Sequence, residues 1–84
     1  MKITSYEMSV IVIHYGPKIT RGLQIMSEDN EYIYVFTLKK IFHSEKWYHY
    51  ESNHFESDKL FRKRKDNPLI KPYNGEEYID YFGV

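Results

Sequence analysis

Three histidines, His43, His49 and His54, each stand two residues before a glutamate: Glu45, Glu51 and Glu56. Imidazole titrates near neutrality and is a good zinc ligand, so a His-x-Glu unit on a strand, where alternate residues share a face, suits acid–base or metal chemistry. A zinc site needs three converging ligands, however, and His43 and His49 fall on different predicted strands. The His-x-Glu fragments at His43 and His54 also lack the Pro-Cys-x-x-Cys segment that completes a deaminase site, since the chain has no cysteine. The expectation is structural or surface histidines, with no metal and no cofactor. No serine occupies a nucleophile elbow, no glycine-rich loop cradles phosphate, and the carboxylates stand singly among basic neighbours. No catalytic residue is assigned, and the chain reads as a non-enzyme. A small toxin-like ribonuclease, which would combine Arg, Lys, His and Tyr on a sheet, is the third-ranking alternative.

Binding chemistry is better represented. Lys59-Leu60-Phe61-Arg62-Lys63-Arg64-Lys65 places five positive charges within seven residues beside aromatic rings. On a helix Lys59, Arg62 and Lys63 share a face that meets successive phosphates while Phe55 or Phe61 stacks on a base. If Lys59, Arg62, Lys63, Arg64 and Lys65 all touched phosphates, affinity would fall with a log–log salt slope of about −4. The plainer reading is a solvated charged segment answered by Glu51, Glu56 and Asp58. In Trp47-Tyr48-His49-Tyr50, strand alternation sends Trp47 and His49 one way and Tyr48 and Tyr50 the other. Trp, Tyr and Arg dominate binding hot spots because they bury large areas with few lost rotamers. The predicted partner-binding set is Trp47, Tyr48, Tyr50, Phe55, Phe61, Arg62 and Arg64.

The elements that must position these residues follow from periodicity. Residues 3–15 alternate, with Tyr6, Met8, Val10 and Val12 on one face; Ile11 and Ile13 make the other face apolar too, as in a central strand. Gly16-Pro17 is a turn, and residues 19–26 form a second strand whose Gly22 marks a bulge or a close backbone approach. Residues 31–38 give the clearest alternation, Tyr32, Tyr34, Phe36 and Leu38 against Ile33, Val35 and Thr37. Residues 47–51 complete an antiparallel meander of about four strands. Beyond it, Ser57 can cap a short helix over 58–65, with an edge strand as the competing assignment. Pro68 and Pro72 hold the intervening chain extended. Asn74 with Glu77 resembles a capping box, and Gly83 a C-terminal stop, so the spacing predicts a helix over 75–82 with Tyr78, Ile79 and Phe82 on its buried stripe.

The 84-residue length permits one core and excludes two domains. There is no alanine, while nine tyrosines, five phenylalanines and one tryptophan exceed what one small core needs, so some rings are expected in an exposed contact patch. The 12 basic and 12 acidic side chains cancel, leaving no long-range pull on nucleic acid or an anionic membrane. The N-terminus has neither the features of a signal peptide nor the length of a membrane span, and a cytoplasmic location is expected. Enrichment in residues with A/T-rich codons suggests a low-GC bacterium, its phage or a mobile element. Together these readings predict an α+β domain: a small antiparallel sheet covered by one or two short C-terminal helices. The predicted function is a phage or mobile-element accessory or inhibitor docking an aromatic and basic surface on a cellular protein, with a nucleic-acid module over 59–65 as the alternative and a homodimer possible.

Overall fold

A computed structural model of the chain describes residues 9–16 and 19–79. Alternating β-branched and aromatic residues build strands throughout: β1 (Val10–Gly16), β2 (Ile19–Glu28), β3 (Tyr32–Phe42), β4 (Trp47–Phe55), β5 (Phe61–Arg64), β6 (Ile70–Pro72) and β7 (Glu77–Tyr78). They pair antiparallel in a curled half-barrel of order β6-β1-β2-β3-β4-β7, with β5 joined to β3 off that path. Among the described residues there is no helix, and so none long and apolar enough to cross a membrane.

The predicted α+β class is therefore corrected to all-β. Over 58–65 the apolar Leu60 and Phe61 are adjacent and make no helical stripe. As a strand, the same segment lays Phe61–Arg64 against β3 in the register Val35↔Phe61, Tyr34↔Arg62, Ile33↔Lys63 and Tyr32↔Arg64. Ser57 caps no helix: its hydroxyl accepts a hydrogen bond from the Lys59 amide at 3.3 Å in a tight turn. Over 75–82, Gly75 takes φ +98°, a left-handed value that ends rather than starts a helix. Asn74 Oδ1 accepts from the Glu76 amide at 3.1 Å in a local turn, and Tyr78 and Glu77 then pair with Trp47 and Tyr48. Phe82 and Gly83, like the predicted strand portion 3–8 and Pro17, lie outside the described residues.

The apolarity of β1 on both faces is resolved by two cores. One face gathers Ile11, Ile13, Leu23, Ile33, Val35 and Ile70. The opposite face gathers Val12, Leu38, Tyr48, Tyr50 and Ile79, with Val10, Phe55 and Tyr73 packed against them. The second face is covered by strand rather than helix. From Leu38↔Phe55 to Lys40↔Tyr50 the register slips, so residues 51–54 bulge out of β4, with Asn53 at φ 66°. The bulge crosses to β2, where the Gln24 side-chain carbonyl accepts from the Asn53 amide at 2.8 Å and from the Ser52 hydroxyl at 3.0 Å. Tyr50 reaches under it to donate to the Thr20 carbonyl at 3.1 Å.

Candidate binding surface on β5

Because β4 and β5 line up along the same edge of β3, the aromatic segment and the basic segment occupy the two ends of one broken strand. Strand geometry then divides the basic cluster. Arg62 and Arg64 emerge on the side of Tyr32 and Tyr34, whereas Phe61 and Lys63 emerge with Ile33 and Val35 on the inner side of the curl. The single basic face expected of a helix is thus corrected to two smaller faces.

On the first face the Arg62 guanidinium lies 4.2 Å from the centroid of the Tyr32 ring, and that of Arg64 lies 5.7 Å from it. Arg64 also pairs with Asp66 at 3.0 Å, an exposed contact that holds the Asp66 carboxyl below its ordinary range and raises Arg64. On the inner face Lys63 Nζ sits 5.9 Å from the Phe61 ring and 6.0 Å from the Tyr15 ring, and donates to the Tyr15 hydroxyl at 3.3 Å. Lys59 Nζ lies 5.0 Å from the centroid of the same Phe61 ring. Phe61, Lys63 and Tyr15 border a cleft of about 340 Å³ that Arg21, Thr37 and Glu56 complete, with Arg21 and Glu56 paired at 3.6 Å. Lys65 is engaged differently, in a half-buried pair with Glu28 at 2.7 Å. Lys59, Arg62 and Lys63 thus rest on rings, while Arg64 and Lys65 meet carboxylates.

The aromatic segment separates as its alternation predicts. Tyr48 and Tyr50 are 3% and 4% exposed and belong to the core, so in this conformation they offer no surface to a partner. Burial raises the Tyr50 phenol far above its ordinary value and keeps it a neutral donor to Thr20. Phe55 is half-buried against Phe36, their centroids 4.9 Å apart. Trp47 remains exposed, edge-on to the equally exposed Tyr78 with centroids 5.2 Å apart.

The histidines do converge, at the far end of β4. The His43 and His49 rings stack at 4.2 Å, and Glu51 bridges His49 Nε2 at 2.9 Å and His54 Nδ1 at 3.1 Å. The hydrogen bond from His49 lowers the Glu51 carboxyl below its ordinary value. Among the described residues no group of three or more His, Asp and Glu is placed to hold a metal ion. His49 sits opposite Ile41 and Phe61 opposite Val35, so about 20 Å of β3 separates the imidazoles from the basic strand.

Tyr15, Tyr32 and Arg21 were invisible as site members in the sequence. Tyr32 carries the right signal, a ring at the start of the clearest strand, but its pairing with Arg62 needs the β3–β5 register. Tyr15 reaches Lys63 only because the sheet curls. No protein-family model matches the chain, and no curated protein or solved structure matches it either.

Proposed function

We propose that the chain is a small non-enzymatic binding domain that holds a partner protein along β5, through the cation–ring contacts on both faces of that strand, with Phe61, Arg62 and Lys63 as its anchors. The observation that supports this reading is that Lys59, Arg62 and Lys63 lie against Phe61, Tyr32 and Tyr15 rather than against carboxylates. A cation stacked on a ring is pre-positioned and incompletely neutralised, so it binds with little further loss of rotamer freedom. Trp47 and Tyr78 supply a second exposed ring pair, whose own rings carry no cation among the described residues.

Immobilised protein is expected to retain a stoichiometric protein from nuclease-treated cell extract. Phe61→Ser and Arg62→Ser should each weaken that retention at least about tenfold, the loss typical of a hot-spot side chain. A protein interface of this kind depends on salt only mildly, whereas phosphate contacts through the cluster would lose several logs of affinity per log of salt. Recovery of nothing but nucleic acid, released by nuclease, contradicts the proposal.

A further inference from the structure

β5 has a second asset besides its side chains: a backbone edge that no described strand covers. The Lys65 amide donates to the Glu31 carbonyl at 2.9 Å, and Tyr32 pairs with Arg64. In an antiparallel ladder hydrogen-bonded and non-hydrogen-bonded pairs alternate, so Lys63 and Phe61 bond inward to β3. The N–H and C=O groups of Arg62 and Arg64 consequently point away from it. The Arg64 carbonyl confirms the direction, accepting from the Asn67 amide in the turn beyond at 3.3 Å. Among the described residues no strand pairs with this outer edge, whereas the outer edge of β4 is capped at Trp47 and Tyr48 by β7.

We infer that the outer edge of β5 accepts an extended acidic segment of the partner protein as an added strand. The inference rests on the β5 binding reading and names the chemistry of its partner. An exposed edge is a template for any strand, and charge decides which strand can use it. Two copies of Phe61–Arg64 laid side by side would set cation against cation, a destabilising arrangement. A segment with alternating carboxylates instead sets them opposite Arg62 and Arg64, while the residues between them fall beside Phe61 and Lys63. The rings under the cations keep the guanidinium and ammonium groups at the strand rather than extended into solvent.

The test separates the backbone from the charge. A capped synthetic peptide, Ser-Glu-Val-Glu-Thr-Glu-Ser, is titrated into the isotope-labelled full chain while amide exchange and chemical shifts are followed. Its Lys-for-Glu counterpart and a ten-residue oligothymidylate serve as comparison ligands. The acidic peptide is expected to slow exchange at the Arg62 and Arg64 amides, and the Lys peptide to leave them unchanged. Arg62→Thr removes the charge, whereas Arg62→Pro removes the charge and the outward donor; an edge position with a solvent-facing N–H tolerates proline. Proline should therefore bind the peptide about fivefold more weakly than threonine, the worth of one net hydrogen bond. Should Arg62→Pro fail to fold, Arg64→Pro against Arg64→Thr makes the same comparison. Equal binding by the Pro and Thr variants overturns the inference. So does protection of these amides by oligothymidylate but not by the acidic peptide, or by self-association of the chain alone. The broader β5 reading survives such a result if Arg62→Ser still abolishes partner retention, and fails separately if it does not.

Discussion

Gly22 lies in the middle of β2 with the Tyr50 ring laid across it, so that a Cβ at this position would overlap the ring at its attachment end. The ring has little room to retreat: its hydroxyl is tied to the Thr20 carbonyl, and it packs at steep angles against Tyr48 and Tyr73, with centroids 5.5 and 5.6 Å away. Gly22→Ala is expected to destabilise the fold by about 1–3 kcal/mol, the usual consequence of overpacking a well-filled core. The midpoint of urea unfolding measures this; an unchanged or raised midpoint would place Tyr50 elsewhere. That Gly22 answers a close approach was legible from a glycine inside a strand pattern. That Tyr50 makes the approach was not, because strand alternation assigns a side chain to a face but not to a neighbour across the sheet. The same limit hid the Arg62–Tyr32 and Lys63–Tyr15 contacts, although each cation was marked by its place in a dense basic run.

At the scale of elements, β1 to β3 and the start of β4 follow from period-two alternation, and their pairing order is the predicted meander. The second half of the chain departs from the helical expectation because local signals there favour more than one state. Cations at Lys59, Arg62 and Lys63 suit a helix face as well as a strand, and the free edge of β3 decides for the strand. Asn74 and Glu77 have the spacing of a capping box, yet Gly75 turns left-handed between them and delivers β7 to β4. The β4 bulge had no sequence signal beyond Asn53, a residue type that tolerates the left-handed region. Asn53→Val forces a β-branched side chain into φ 66° and removes the bond from Gln24 Nε2, at 3.3 Å, to Asn53 Oδ1. It is expected to lower stability by about 1–2 kcal/mol in the same unfolding assay, the penalty for a left-handed non-glycine residue. Wild-type stability in this variant would mean that the bulge does not hold β4 over β2.

Across the whole molecule the charges sum to zero, so attraction to a partner is local and its location is the central question. The curl brings Tyr15 of β1 to Lys63 on the Phe61 face of β5, Arg62 and Arg64 occupy the other face of the same strand, and β4 seals the opposite core. Among the described residues the exposed rings fall in two regions, Phe61 and Tyr15 beside β5, and Phe42, Trp47 and Tyr78 at the β3–β4 turn and β7. They lie far enough apart to be distinguished by a short-range probe. The photoreactive amino acid benzoylphenylalanine, placed at Phe61 in one preparation and at Trp47 in another, is irradiated in nuclease-treated extract and the attached proteins are identified. Attachment of a single partner protein from position 61, suppressed by the acidic peptide, is the predicted result. Attachment from position 47 with none from position 61 would contradict the assignment of the binding surface to β5.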